Sequence, residues 1–231
     1  EGHKITDAKY NVANEFDDDY AIVKSDEAWG VIDKSGKTVI AIENQSILLT
    51  SKEDYHYIVK RDNKYGVVTP QRIVLRPAYD DVNLQNDLYI IRSNGKYGLA
   101  NKQGQILYPC THSWIDINDD LIILNTDGKH IIADHTGKRL VDGEYDAITR
   151  VDEHLMLRQG NKYGLIDKSG RVIVACRYHN ISKCRFGYKL EQDGMMGGID
   201  KYGNHIFAPI FEHISLWDSH VLLKKNNLYG L

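Results

Sequence analysis

The chain has 231 residues, a formal net charge of −3 and a pI of about 6.4. It has neither a basic excess to neutralise phosphates nor a run of about 18 apolar residues, so we expect no nucleic-acid binding and no membrane insertion. The three cysteines (Cys110, Cys176 and Cys184) are too few for a disulfide framework, and the abundant glycine and tyrosine favour a β protein rich in turns.

An aromatic residue followed by glycine recurs every 32 to 36 residues along the chain. In chain order the copies are Trp29-Gly30, Tyr65-Gly66, Tyr97-Gly98, Tyr163-Gly164 and Tyr229-Gly230, with degenerate copies at His130-Ile131 and Met196-Gly197. Such even spacing is typical of a repeat array, so the sequence predicts seven repeats of about 33 residues.

Each repeat contains three short apolar segments separated by turns. The first segments lie at 21–23, 57–59, 89–91, 122–124, 155–157, 188–190 and 221–223. The second segment carries the aromatic–Gly pair, and the third follows a turn such as "DKSGK", whose glycine suits a tight hairpin. The segments are β-branched and aromatic, which predicts three strands and no helix longer than a turn. Consecutive apolar residues in the first segment indicate a sheet covered on both faces by neighbouring repeats.

The repeat "KYGLIDKSGRVIVACRYHNI" at 162–181 resembles the WG-repeat family of bacterial proteins, also called KWG repeats. The resemblance extends over essentially the whole chain through the aromatic–Gly pair, the "IDKSG" turn and the "P-x-Tyr-Asp-x-Ile" tail. At 69–72, "TPQR" lacks the turn glycine, so a different turn is expected there. The family has no established catalytic residues, and its members look like binding or scaffolding modules. The resemblance therefore implies an interaction protein.

The two ends of the chain are complementary parts of one repeat. Residues 2–16 align with 170–184 and so begin at a third segment, whereas 221–231 supply only the first two segments. We therefore predict one domain over 1–231, a seven-bladed β-propeller that its N- and C-terminal half-repeats close. An open β-solenoid or stack is the alternative, because the repeats are shorter than the roughly 40–45 residues of common propeller repeats.

Trp114 is the candidate contact residue. The equivalent positions of the other repeats hold mostly small or polar residues: Val12, Ser46, Asp81, Ala147, Asn180 and His213. Trp217 shares its position with apolar residues such as Phe16 and is expected in the core. The aromatic–Gly residues are assigned to packing between repeats: Trp29, Gly30, Tyr65, Gly66, Tyr97, Gly98, Tyr163, Gly164, Gly197, Tyr229 and Gly230.

Other reactive residues do not form a recognisable site. The acidic stretch "EFDDDY" at 15–20 lacks the calcium-loop pattern, and "CRYHNISKC" at 176–184 lacks paired zinc-ligand spacing. We therefore expect no metal, no cofactor and no catalytic residues. An enzyme with a polar site at the ring centre would need converging carboxylates or histidines, which the aligned repeats lack.

The predicted function is a non-catalytic scaffold that binds another protein. Its contact surface is expected on segments 43–56, 81–88 and 114–120, which vary most among the repeats and are predicted as loops. The alternative is a cell-surface module that binds a glycan on exposed Tyr and Trp114. The N-terminal "EGHKITDAKY" has no apolar signal core, which is compatible with a cytoplasmic bacterial protein or an exported one whose signal has been removed.

Overall fold

The computed structural model describes residues 5–118, 121–217 and 220–230. Within these ranges all the regular secondary-structure elements are β-strands, and they form seven small antiparallel sheets. The all-β repeat architecture is thus confirmed. None of the described segments is a helix that could cross a membrane. The chain divides into two compact parts, an N-terminal unit Glu1–Ile117 and a C-terminal unit Asn118–Leu231.

The N-terminal unit contains three four-stranded sheets and one further strand. The first sheet, in the order β1-β2-β3-β4, consists of β1 (Val12–Ala13), β2 (Tyr20–Ser25), β3 (Ala28–Asp33) and β4 (Thr38–Asn44). The second consists of β5 (Ser46–Ser51), β6 (His56–Arg61), β7 (Lys64–Val68) and β8 (Ile73–Tyr79), likewise in chain order. The third consists of β9 (Asp81–Gln85), β10 (Leu88–Ser93), β11 (Lys96–Asn101) and β12 (Ile106–His112). The last strand of this unit is β13 (Trp114–Ile117).

The C-terminal unit repeats the same pattern. It begins with a hairpin of the fourth sheet, formed by β14 (Ile122–Thr126) and β15 (Lys129–Ala133). The fifth sheet consists of β16 (Ala147–Val151), β17 (His154–Gln159), β18 (Lys162–Asp167) and β19 (Val172–Tyr178). The sixth consists of β20 (Asn180–Cys184), β21 (Gly187–Gln192), β22 (Met195–Ile199) and β23 (His205–Phe211). The seventh consists of β24 (His213–Trp217), β25 (His220–Lys225) and β26 (Leu228–Gly230).

Five of the sheets have four strands where the sequence predicted three. The additional strand precedes the first apolar segment of its repeat, as β9 precedes β10 and pairs with it. In β9, Val82 is buried whereas Asp81 and Asn83 are exposed, so one face meets the core and the other meets solvent. Segments 43–56, 81–88 and 114–120, predicted as loops, contain such strands in their described residues. We call β1, β5, β9, β13, β16, β20 and β24 the first strands.

The core of each unit lies between successive sheets. Val67 and Leu75 of the second sheet form one cluster with Tyr89 of the third, and Leu165 of the fifth packs with Leu190 of the sixth. Apolar side chains thus cover both faces of a sheet, as the consecutive apolar positions of the first segments predicted.

The glycine of the aromatic–Gly pair lies against the backbone of the last strand of its sheet. A Cβ atom on Gly66 would lie 2.5 Å from the carbonyl oxygen of Leu75, and one on Gly164 would lie 2.7 Å from that of Val174. The β-ladder shifts register at this point in each four-stranded sheet. A side chain at this position would therefore collide with backbone.

The turn before the last strand is built around a side chain of the preceding strand. Oδ1 of Asp167 accepts hydrogen bonds from the amides of Ser169 and Arg171, and Gly170 has a φ of 84°. In the equivalent turns, such as the one at Asp167, the backbone amide donates to the carbonyl four residues later in the chain. In the turn at 69–72 the amide of Thr69 donates to the carbonyl of Arg72, only three residues later. The expected change of turn type is therefore present.

Candidate functional site

The first strands present an outward row of side chains at alternate positions. In β5, β9 and β13 the first and third residues are exposed and the second points inwards. We call the exposed residues of these three strands the first-strand face of the N-terminal unit: Ser46, Leu48, Asp81, Asn83, Trp114 and Asp116. β5 and β9 are each paired along their length with the next strand of their own sheet.

Trp114, the predicted contact residue, lies at the first position of β13 and is 42% exposed. Exposure of an indole to solvent is unfavourable because of the hydrophobic effect, and the other repeats carry mostly small or polar residues at this position. Trp217 ends β24, but its side chain lies outside the described residues, so its expected place in the core stays a prediction.

Leu48 is a second exposed apolar residue of this face, and the sequence analysis missed it. It is 62% exposed at the third position of β5. Equivalent positions in the other repeats are all polar: Asn14, Asn83, Asp116, Thr149, Ser182 and Ser215. The contrast is present in the sequence, two positions after the aligned residues Ser46 and Trp114.

Open clefts flank β5 on both sides. One, of about 460 Å³, lies between β5 and β9 and is lined by Leu48, Leu84 and Tyr65 among others. The other, of about 560 Å³, lies between β5 and residues 14–22 and includes Phe16 in its lining. Both clefts expose apolar atoms beside polar ones, as surfaces that bind other molecules do.

The end of β5 at Ser51 lies in an acidic region. Asp17 forms an ion pair with Lys52 at 2.8 Å, and its hydrogen bond raises the pKa of Lys52, assisted by the charge of Asp18. Within the described part of the chain, Glu15, Asp18 and Glu53 have no ion-pair partner. No group of three metal-binding side chains occurs among the described residues, including the acidic stretch at 15–20.

The cysteines are half-buried and not joined in disulfides. Burial raises the pKa of the Cys110, Cys176 and Cys184 thiols, which keeps them protonated and weakly nucleophilic. His179 accepts a hydrogen bond from Nζ of Lys162, and the Cys176 thiol faces the carbonyl of Leu157. The structure therefore does not pair a cysteine with a histidine in the 176–184 segment.

The solved structures whose backbones match this chain have low sequence identity to it. PorZ of Porphyromonas gingivalis, described as an essential bacterial surface component of the type-IX secretion system, is 8% identical, with 93% of this chain and 35% of PorZ covered and a TM-score of 0.31. Hsv2 of Kluyveromyces lactis is 9% identical, with 78% and 69% covered and a TM-score of 0.32. A eukaryotic initiation factor is 9% identical, with 93% and 70% covered and a TM-score of 0.35. Scores this low carry no argument about function, and this chain spans only about a third of PorZ.

No curated protein matches the chain. A family model described as "WG containing repeat" matches residues 29–65, 71–97 and 163–183. They contain the pairs Trp29-Gly30 and Tyr163-Gly164, and the first two regions end at Tyr65 and Tyr97, the aromatic residues of two further pairs. These three regions of the chain are therefore WG-containing repeats, as the sequence resemblance predicted.

Proposed function

We propose that this repeat scaffold is a non-catalytic interaction module, and that the first-strand face of its N-terminal unit binds another protein. The observation that supports this most strongly is the exposure of Leu48 and Trp114 at positions where the other repeats carry mostly small or polar residues. Exposed apolar side chains with a polar surround are typical of protein-binding surfaces, and tryptophan is enriched among the residues that dominate binding energy.

The experiment compares captured partners between matched variants. Leu48→Ser combined with Trp114→Asn gives each position a residue that another repeat already carries there, such as Ser182 and Asn180. The control is Ile73→Thr, because Ile73 is 52% exposed on β8 and Thr38 is its counterpart on β4. We expect the wild type and the control to capture the same proteins from a lysate of the source organism. The double variant should lose a specific subset, whereas identical captured sets would contradict the proposal.

A glycan is the second candidate ligand. Trp114 shares the first-strand face with the carboxylates of Asp81 and Asp116 and the amide of Asn83, which can accept or donate hydrogen bonds to sugar hydroxyls. A glycan array distinguishes the two proposals. Signal that Trp114→Asn abolishes and Leu48→Ser leaves intact favours the glycan, whereas protein capture with a silent array favours the protein partner.

We further propose that the seven sheets close into a propeller. The local support is that Ile5 contacts the turn glycine Gly36 of the first sheet, as Ile173 of β19 contacts Gly203 of the sixth. Residues after Ile5 thus have the place of a last strand beside the first sheet. Because Tyr163 pairs with Tyr178, the repeat alignment predicts that Tyr229 pairs with Tyr10.

The test is an engineered disulfide. Tyr10→Cys with Tyr229→Cys, in a chain whose three native cysteines are replaced by alanine, should form an intramolecular bond under mild oxidation if the ring is closed. The two single variants control for dimerisation. A double variant that stays reduced, or that forms only dimers, would support the open stack.

A further inference from the structure

We propose that β5 is a docking edge on which an extended, basic segment of the partner protein adds to the second sheet as an antiparallel strand. This inference rests on the proposed function and specifies how the partner binds and what chemistry it carries. It places the docked segment on the strand that presents Leu48.

The first argument is that β5 lies at the edge of its sheet and lacks the usual protection. The second sheet has the order β5-β6-β7-β8, so one side of β5 has no partner strand among the described residues. Natural edge strands often carry charged side chains, which discourage another strand from pairing with them. The other first strands of four or more residues each carry an ionisable side chain: Asp81, Asp116, Arg150, Lys183 and His213. The sequence of β5, "SILLTS", contains none.

The second argument is the space beside β5. The clefts of about 460 and 560 Å³ lie on its two sides and share Ile47, Leu48 and Leu49 in their linings. An added strand directs successive side chains to opposite faces, so its alternate residues would enter the two clefts. Backbone hydrogen bonds to β5 supply affinity, and the clefts select the side chains.

The third argument is charge. Glu15 lines the same cleft as Lys52, Asp18 follows Asp17, and Glu53 follows Lys52 in the chain. None of these three carboxylates makes an ion pair in the described residues, while Lys52 is paired with Asp17. An arginine or lysine at the matching end of the docked segment would be favoured there. All described strand pairs in the second sheet are antiparallel, so the basic residue belongs at the N-terminal end of an antiparallel segment.

The probe is a fluorescent hexapeptide that alternates valine with threonine and begins with arginine. We expect saturable binding by fluorescence anisotropy and slower hydrogen exchange of the amides of residues 46–51. Leu48→Lys should weaken binding at least about tenfold, because it adds to the edge the charge that protected edges carry. Ile73→Lys, which places the same charge on an exposed apolar position of β8, should leave binding unchanged.

Two altered peptides complete the design. A peptide with glutamate in place of arginine should bind more weakly, and one N-methylated at alternate residues should not bind, because it cannot form the strand ladder. Absence of binding at millimolar peptide, equal binding of the glutamate peptide, or binding without protection of 46–51 would overturn the inference. A dimer of the protein alone that Leu48→Lys abolishes would also overturn it, since a second copy would then occupy the edge.

Failure of this inference and failure of the proposed function give different results. If the Leu48 and Trp114 double variant loses its partner but β5 amides stay unprotected in the complex, the face binds a partner by side chains alone. If the captured proteins are unchanged in the double variant, the proposed function itself fails.

Discussion

His56 is a buried titratable residue at the start of β6. Its Nδ1 lies 2.5 Å from the hydroxyl of Tyr89, and burial raises the pKa of Tyr89 to about 12, which keeps that hydroxyl protonated. Burial also lowers the pKa of His56; Asp54 opposes this shift, whereas Lys102 and Arg72 reinforce it. Burial therefore favours the neutral form of the His56 ring in the folded protein.

This pKa shift predicts that acid weakens the fold. Above the ordinary histidine pKa both folded and unfolded chains hold His56 neutral; as the pH falls below it, the unfolded chain binds the proton first and stability declines. His56→Gln should therefore reduce the loss of unfolding free energy between pH 7.5 and 5.5, measured by urea denaturation. His213→Gln, at an exposed position, should keep the wild-type loss. An unchanged loss in His56→Gln would contradict the assignment.

Gly66 tests the close approach of backbone in the aromatic–Gly pair. The Cβ atom of Gly66→Ala would lie 2.5 Å from the Leu75 carbonyl oxygen and 2.6 Å from the Pro77 nitrogen. We expect a loss of about 1–3 kcal/mol or more in unfolding free energy, since backbone must shift to admit the methyl group. Ile73→Thr, an exposed change in the same sheet, should cost little. Equal stabilities of the two variants would show that the approach is not limiting.

At the residue scale, a residue that differs from its equivalents in the other repeats can be recognised only where the repeats are aligned correctly. Trp114 was found because it follows the tail motif, whose position in each repeat is clear. Leu48 lies two positions further along the same alignment, within a segment predicted as a variable loop. Its contrast with Asn83 and Asp116 gains meaning only in a strand, where alternate residues share one face. The contact of Gly66 and Gly164 with backbone also depends on the β-ladder, which no single sequence displays.

At the element scale, one residue joins the last strand of a sheet to the next first strand. These hinge residues are Gln45, Asp80, Ser113, His179 and Glu212, and Asp146 has the equivalent position before β16, although residues 134–146 separate β15 from β16. Asp146 forms an ion pair with Lys129 and accepts a hydrogen bond from the amide of Gly160 at 2.6 Å. The hinge side chain thus ties the preceding sheet to the hairpin of the next one.

His179 is a weaker version of this hinge. It accepts a hydrogen bond from Nζ of Lys162 at 2.6 Å, where Asp80 and Asp146 offer a carboxylate to the equivalent lysines. His179→Asp should raise Tm by about 1–3 °C, because a partly exposed ion pair contributes up to about 1 kcal/mol. Calorimetry should show the gain shrinking as salt rises, and His213→Asp, which is not a hinge, should lack it. A gain that salt does not affect would argue against the ion pair.

Strand type was predictable for the three apolar segments and not for the first strands. Segments such as 155–157 carry apolar residues on both faces, which marks a buried strand without reference to its neighbours. The strand β16, "AITRV", pairs with β17 yet exposes Thr149 and Arg150, so its composition is that of a loop. Edge strands bury one face, and their polar face hides them from a search for apolar runs.

At the scale of the whole molecule, the prediction of one domain over 1–231 can be tested against the two compact units. The spacing of the aromatic–Gly positions stays between 32 and 36 residues on both sides of Ile117, which favours one cooperative array. Leu165 is fully buried in β18, and Leu165→Ala should lower unfolding free energy by about 2–5 kcal/mol. In a single domain, the loss must appear in both units.

Hydrogen exchange at increasing urea, followed by mass spectrometry of fragments from each unit, measures this directly. We expect Leu165→Ala to move the unfolding midpoints of Glu1–Ile117 and Asn118–Leu231 down together. Val172→Thr, an exposed change in the same sheet, should move neither. A midpoint shift confined to the C-terminal unit would mean that cooperativity stops near Ile117, because repeat arrays transmit stability only through the interfaces between neighbouring repeats.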